Sequence, residues 1–304
     1  MIAINIQRPT SNTQRPIKKV SSPSELDVGR STLDVRREAP RTASGRASAA
    51  RETFVETPAT RLIWAGLDYA VRNNSIALIE GDTGHGKTLA TEAWSLARPH
   101  LAVILIEAPS IGGVRLFLSE ICRAIGETGN LSLAEMRRVI RDWFAESDNR
   151  ILIIDQAHDL LPRSRGAKAD KIDFLRELHD FAECPIGLLC TVKLVREMSR
   201  SAYNFEQIMG RVGMPVKLPA ELGEEHYRPL IVPWFPRPGP KLLAACGQVA
   251  NDKLPRQKGR LRLLSQICRL ANRVAAKKGE TLAEHHFFKA LALRDQMMGN
   301  PAHV

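Results

Sequence analysis

The stretch IALIEGDTGHGKTLATEAW, residues 76–94, combines three patterns that decide the fold of this chain. It begins with an unbroken apolar run, IALI, which predicts a buried strand. A loop follows with the spacing Gly81-x-x-x-x-Gly86-Lys87-Thr88, and the segment KTLATEAWSLA then predicts a helix. A strand, a glycine-rich loop and a helix in this order direct backbone N–H groups and a helix N-terminus at one point, which suits phosphate groups.

Each part of this P-loop pattern has a role in holding a nucleoside triphosphate. Glycines let the backbone curl so that several N–H groups point inward. We expect Lys87 to contact the β- and γ-phosphates and the Thr88 hydroxyl to coordinate Mg²⁺. The sequence therefore predicts ATP and Mg²⁺ as ligands, with nucleotide contacts from Gly81, Asp82, Thr83, Gly84, His85, Gly86, Lys87, Thr88 and Leu89.

A second apolar run, in ILIIDQAHDLL at residues 151–161, ends in an acid. We expect Asp155 to follow a parallel strand next to the P-loop strand and to hold the water shell of Mg²⁺. The predicted metal site thus contains Thr88 and Asp155.

Gln156 stands where many P-loop ATPases have a glutamate that polarises the attacking water. A glutamine can orient water by hydrogen bonds, but it cannot accept a proton at neutral pH. Because loss of a general base typically costs a factor of about 10² to 10⁴, the sequence predicts ATP binding with slow turnover. In the alternative, another group such as Glu107, at the end of the second predicted strand, serves as the base.

Strands and helices alternate along the chain after residue 54, and the strands are continuous apolar runs. This pattern predicts an α/β fold with a parallel sheet covered by helices on both faces. Five prolines, at positions 229, 233, 236, 238 and 240, are expected to break any regular element, and the chain beyond them reads as purely helical. The predicted parts are a disordered basic arm (1–50), a nucleotide-binding core (51–225) and a helical lid domain with a proline-rich entry (226–304).

The net charge of +11 favours a polyanionic partner, and nucleic acid before a membrane surface. No run of 18 apolar residues is present, so no membrane span is predicted. The five cysteines form no Cys-x-x-Cys pair and are expected to be buried, reduced thiols of a cytoplasmic protein. His285 and His286 lack metal-ligand spacing and are expected not to be ligands.

Basic residues concentrate in three segments. Residues 1–50 hold nine against four acids, and residues 251–280 hold nine against two. The loop LPRSRGAKADK follows the Asp155 strand, and Arg262, Arg269, Arg273 and Lys277 share one face of a predicted helix. Because aromatic residues are only 5% of the chain, we expect contact with the backbone of double-stranded DNA rather than base stacking. The predicted DNA-binding residues are Arg163, Arg165, Lys168, Lys171, Arg269 and Arg273; solvation of these charges is the alternative.

Together, the two motifs resemble those of the AAA+ superfamily. Residues 52–222 look most like the transposition ATPases of the phage Mu B and TniB kind and the related ExeA-type ATPases. The resemblance is carried by GDTGHGKT, LIIDQAHDLL, FLRELHDF, PIGLLCT and YNFEQIMGRVGMPVKLP.

The resemblance implies three further catalytic residues besides Lys87, Asp155 and Gln156. Thr191 occupies the position of sensor 1, a polar side chain near the γ-phosphate. Arg211 occupies that of an arginine finger, which would reach the ATP of a neighbouring subunit. Arg262 matches sensor 2 at the start of a lid helix. For Arg211 a surface cation at a helix C-terminus remains the alternative, and for Arg262 membership of the basic helix face.

These implications favour an ATP-dependent, largely sequence-independent DNA-binding protein that forms a homo-oligomeric ring or helical filament on DNA. Its partner would be a transposase or integrase-like protein. One alternative is a nucleotide-gated protein-interaction switch of the ExeA-like kind, without DNA binding. Another is a conventional DNA-stimulated ATPase that uses a different base.

Overall fold

A computed structural model describes residues 54–162, 169–192, 194, 206–251 and 260–297. Its central element is a parallel sheet of five strands in the order β2-β3-β4-β1-β5. The α/β fold class predicted from the alternating pattern is confirmed. The predicted arm, and the residues Arg163, Arg165 and Lys168, lie outside the described residues. The strands are β1 (Ile76–Glu80), β2 (Ala102–Glu107), β3 (Arg150–Asp155), β4 (Ile186–Cys190) and β5 (Val212–Lys217).

Ten α-helices are described along the same parts of the chain. A short 3₁₀ turn, Ala157–Leu160, follows β3. The helices are α1 (Pro58–Arg72), α2 (Lys87–Leu96), α3 (Val114–Ala124), α4 (Leu133–Ala145), α5 (Asp170–Ala182), α6 (Glu206–Met209), α7 (Glu224–Ile231), α8 (Pro240–Asn251), α9 (Arg260–Lys277) and α10 (Glu284–Met297).

Alternate strand residues pack against helices on opposite faces of the sheet. Ile151 and Ile153 of β3 lie in a cluster with α1 and α2, whereas Leu152 and Ile154 pack with α3, α4 and α5. All four side chains are fully buried. Because both faces are covered, β3 can be apolar at every interior position, which explains its unbroken run in the sequence.

The sheet order corrects one expectation about the P-loop strand. Asp155 was expected on the strand next to β1, but β4 lies between β1 and β3. The carboxylate of Asp155 nevertheless reaches α2, because the hydroxyl of Thr88 donates a hydrogen bond to its Oδ2.

The proline-rich segment is more regular than its sequence indicates. Pro229 lies inside α7 and Pro240 begins α8, so the expectation that all five prolines break regular structure was wrong. A proline at the first position of a helix costs no hydrogen bond, since the first N–H groups have no partner within the helix. Strand β5 was also not predicted, because it contains Pro215 and exposes alternate residues at an edge of the sheet.

Helices α7 to α10 build a hydrophobic core of their own, which includes Leu242, Cys246, Leu264 and Phe287. Helix α9 buries one face and exposes the arginines of the other, as its sequence predicts. All five cysteines are free and buried. Among the described helices, none combines the length and the apolar character needed to cross a membrane. The predicted domain limits stay predictions.

Candidate nucleotide site and AAA domain

The P-loop joins β1 to α2 through backbone that only glycine adopts without strain. Gly84 and Gly86 have φ values of 89° and 81°, and α2 begins immediately afterwards at Lys87. The N–H of Gly81 donates to the carbonyl of Cys190 at 3.1 Å, which fixes the start of the loop to β4. The loop therefore places the N-terminus of α2 at the carboxyl end of the sheet.

Lys87 is folded back over this loop. Its ammonium donates to the carbonyl oxygens of Gly81 at 2.7 Å and Asp82 at 3.0 Å. Burial lowers the pKa of Lys87 from its usual value, and the carboxylate of Asp155 opposes that shift. The positive charge thus lies against the loop that is predicted to bind phosphate. Asp82 is half-buried, Thr83 is exposed, and the side chain of Leu89 is 50% exposed.

Thr88 and Asp155 form the part of the site that fits a metal ion. Besides the hydrogen bond from Thr88, the Oδ1 atom of Asp155 accepts the N–H of Gln156 at 2.7 Å. A hydroxyl and a carboxylate at the end of a P-loop are hard oxygen ligands, which Mg²⁺ prefers. These two residues would hold Mg²⁺, which would help neutralise the phosphate charge.

Gln156 adopts left-handed backbone, with φ 52°, where the chain turns from β3 into the 3₁₀ helix. Its side-chain amide donates a hydrogen bond to the carboxylate of Glu107. Glu107 is the last residue of β2 and lies beside Asp155 in the register of β2 and β3. The sequence raised Glu107 as an alternative base, and the structure brings this residue into contact with Gln156.

Thr191 follows the last residue of β4 and lies between the ends of β1 and β3. Its carbonyl accepts the N–H of Leu194 at 3.0 Å, so it begins a turn at the same edge of the sheet as the P-loop. This placement agrees with the position expected of sensor 1, whose role stays a prediction.

Arg211 lies at the amino ends of the strands, on the side of the sheet opposite the P-loop. Its carbonyl accepts the N–H of Ile76, the first residue of β1, at 3.1 Å. Five residues of strand, roughly 17 Å at 3.3 Å per residue, separate that edge from the P-loop. The guanidinium forms a bidentate ion pair with Asp180, at 2.5 and 2.7 Å, and holds the pKa of that carboxyl below its usual range. Arg211 is therefore not part of the site of its own chain.

Arg260 contacts the P-loop, and the sequence reasoning missed it. Its guanidinium donates to the carboxylate of Asp82 at 2.6 Å and to the carbonyl of Ala220 at 2.7 Å, and the residue is buried. Arg262, the predicted sensor 2, is exposed on α9, although its charge is close enough to help lower the pKa of Lys87. The sequence signal for Arg260 is its place beside Arg262 in GRLRLL, at the start of the predicted helix.

His85 is the buried imidazole of the P-loop. Its Nδ1 atom lies 3.0 Å from the carbonyl of Asp82, and Nε2 is buried without a hydrogen-bond partner among the described residues. Burial lowers the pKa of His85 to about 4, and the nearby charges of Arg260 and Lys87 act in the same direction. The imidazole is therefore neutral at pH 7.

Comparison with known proteins agrees with this geometry. Residues 71–195, which include the P-loop, Asp155 and Thr191, match the family model of the AAA domain. These residues are similar to the AAA domain. The chain is homologous to the ATP-dependent target DNA activator B of Escherichia phage Mu, with 26% identity over 245 residues that cover 78% of this chain and 72% of the phage protein. The protein of the same name from Escherichia phage D108 is 25% identical over the same extent.

Solved structures with a P-loop AAA+ fold superpose on most of this chain. The ORC2 protein of Aeropyrum pernix, in ADPNP and ADP complexes, superposes with a TM-score of 0.57, at 18% identity and over 79% of this chain and 69% of that one. CDC6P from Pyrobaculum aerophilum gives a TM-score of 0.56, at 15% identity and over 84% of this chain and 68% of that one. At these identities the likeness establishes the fold alone.

Three of the predicted DNA-binding residues can be placed relative to the AAA domain. The ammonium of Lys171 donates to the carbonyls of Pro109 at 3.0 Å and Asp159 at 3.2 Å, so it ties together the loops after β2 and β3. Arg269 and Arg273 are exposed on α9. The DNA-binding role of these three residues stays a prediction.

Among the described residues, one cluster of histidine and glutamate side chains, just before and at the start of α10, has the composition of a metal site. The Nε2 atoms of His286 and His285 lie 2.8 and 3.6 Å from Glu280 Oε2. His286 Nδ1 accepts the N–H of Ala283, which makes Nε2 the donor to Glu280. These hydrogen bonds stabilise the turn that begins α10, which explains why the three side chains lie together. The expectation that these histidines are not ligands stays a prediction.

Proposed function

We propose that this protein binds ATP and Mg²⁺ through its AAA domain, assembles on double-stranded DNA in the ATP-bound state, and recruits or regulates a transposase or integrase-like partner. The observation that carries the proposal is the P-loop with its Thr88–Asp155 contact, in a chain homologous over most of its length to proteins named ATP-dependent target DNA activators. The proposed compartment is the cytoplasm, which suits five free, buried thiols.

Phosphate contacts would dominate DNA binding. The net charge of +11 and the exposed arginines of α9 supply cations, whereas aromatic residues are few. Such a surface follows the sugar-phosphate backbone and tolerates most sequences. The predicted contacts from Arg163, Arg165 and Lys168 belong to this proposal as well.

Assembly would make the nucleotide a contact between subunits. Arg211 lies at the edge of the sheet opposite the P-loop, so it can act as an arginine finger only towards the ATP of a neighbouring copy. The pair with Asp180 would have to open first. Hydrolysis would be slow, since Gln156 follows Asp155, and would time disassembly.

DNA binding measured with ATP, with ADP and without nucleotide tests this function. At two salt concentrations we expect tight, ATP-dependent binding to duplexes of unrelated sequence, with a logarithmic salt slope of several units. Lys87→Ala should abolish the dependence on ATP, because it removes the charge that faces the phosphates. Lys241→Ala, on α8, is the matched control and should bind as the unaltered protein does.

DNA binding of equal affinity with ATP, with ADP and without nucleotide would contradict the proposal. If DNA is not bound at all while ATP is, the nucleotide-gated protein-interaction switch becomes the better function. Rapid phosphate release that DNA stimulates would instead favour the conventional ATPase.

A further inference from the structure

Three acids end strands at the carboxyl edge of the described sheet: Glu80 on β1, Glu107 on β2 and Asp155 on β3. Asp155 already accepts hydrogen bonds from Thr88 and from the N–H of Gln156, so it is committed to the metal position. Glu80 comes directly before the P-loop, beneath the phosphate position. Glu107 is exposed beside Asp155, on the strand farther from the P-loop.

The contact between Glu107 and Gln156 links this carboxylate to the residue from which an AAA domain would activate water. In a parallel sheet the ends of adjacent strands lie about 4.8 Å apart, so Glu107 and Gln156 face the same small volume. The amide of Gln156 donates to the carboxylate of Glu107. This hydrogen bond fixes the direction of the Glu107 carboxylate.

We propose that Glu107 is the general base for ATP hydrolysis and that Gln156 is its positioning residue. This inference rests on the proposed ATP-binding function and deepens it. A water molecule attacks the γ-phosphorus while the Glu107 carboxylate accepts its proton. A bond from the water oxygen to phosphorus forms, and the bond to the bridging oxygen of ADP breaks with its electron pair staying on ADP. The proton held by Glu107 then passes to solvent, and phosphate leaves.

This assignment gives a reason for glutamine at position 156. A glutamate there would place two like charges in contact and remove the amide donor that orients Glu107. With glutamine, the pair has a single carboxylate, held by an amide donor. The same hydrogen bond also restrains Glu107, so basal turnover remains slow until the contact loosens.

Exchange of the two side chains tests the pair. We expect Glu107→Gln to lower single-turnover phosphate release by a factor of about 10² to 10⁴, with ATP affinity, followed by a fluorescent analogue, within about twofold of the unaltered protein. The double variant E107Q/Q156E restores a carboxylate–amide pair in the reverse order and should recover at least tenfold of the lost rate. Gln156→Glu alone should lower phosphate release, because it removes the amide donor that orients Glu107.

Glu120→Gln is the charge-matched control, since Glu120 lies on α3 and pairs with Arg123. It should hydrolyse ATP at the unaltered rate. The proposal is overturned if E107Q releases phosphate as fast as the unaltered protein, or if E107Q/Q156E is no faster than E107Q.

DNA binding followed in the same samples separates this inference from the proposed function. If E107Q blocks phosphate release but neither the variants nor the unaltered protein bind DNA with ATP, the assignment of Glu107 as the base is supported and the DNA-binding function is refuted. If binding depends on ATP but E107Q hydrolyses normally, the function stands and the base is wrong.

Discussion

At the scale of single residues, burial and hydrogen bonding decide which charges the site contains. Lys87 keeps its ammonium near the carbonyls of its own loop, whereas His85 is held neutral by burial. The P-loop pattern predicts both positions but not the protonation of His85, because that depends on the side chains that cover it. Glu107 could be found from the sequence only as one of several acids at strand ends.

His85 should make stability depend on pH. The pKa of His85 in the folded state, about 4, lies below the ordinary histidine value of 6.5, so the unfolded chain binds the proton more readily. Its contribution is therefore fully present above pH 6.5 and is lost as the pH falls towards 4, by up to roughly 3 kcal/mol. We expect thermal unfolding of His85→Asn to vary less with pH across this window than that of the unaltered protein.

The exposed His100 provides the comparison for that experiment. His100→Asn should give a curve parallel to the unaltered one. Parallel curves for His85→Asn as well would show that the buried imidazole does not cause the effect.

At the scale of helices and strands, the sequence predicts what is periodic and misses what is irregular. Ser132 and Glu135 form a capping box at the start of α4, and their spacing in the sequence is typical of one. Thr57 caps α1 by accepting the N–H of Thr60, whereas Leu62 of that helix is 44% exposed. Strand β5 and helix α7 were missed because their prolines argue locally against regular structure, and only packing against β1 and α8 shows that they form.

Close approach of α1 to the sheet depends on a glycine in β4. A Cβ atom on Gly187 would lie 2.8 Å from Leu67 Cδ2 and 3.4 Å from the side chain of Ile153. Since all three residues lie in the packed interior, Gly187→Ala should lower the free energy of unfolding by about 1–3 kcal/mol. Denaturant titration measures this change. Gly129→Ala should leave stability within about 0.5 kcal/mol, since its Cβ would meet only Leu131 at an ordinary 3.7 Å.

At the scale of the whole described fold, one ion pair joins the C-terminal helices to the P-loop. Arg260 begins α9 with a φ of 35°, and it reaches Asp82 across 178 positions of the sequence. A left-handed backbone is strained for an arginine, so the surrounding contacts must hold Arg260 in this conformation. No periodic pattern could have predicted the pair, because the two residues lie 178 positions apart and meet only through the tertiary fold.

A double-mutant cycle on Arg260 and Asp82 measures that link. Because Arg260 is buried while Asp82 is partly exposed, we expect a coupling energy of about 1–3 kcal/mol between Arg260→Ala and Asp82→Ala in denaturant unfolding. Arg260→Ala combined with Asp68→Ala should be additive, since Asp68 pairs instead with Arg98. Additive effects for the first pair would contradict a direct link.

The placement of Arg211 and the P-loop on opposite edges of the sheet has a consequence for any assembly that uses both. Each junction would join unlike surfaces, so a chain of subunits has direction. An open filament would then end at one side in a nucleotide without an arginine, and at the other in an arginine without a nucleotide. Growth and loss of subunits would proceed at different rates at the two ends, and a closed ring would lack this asymmetry.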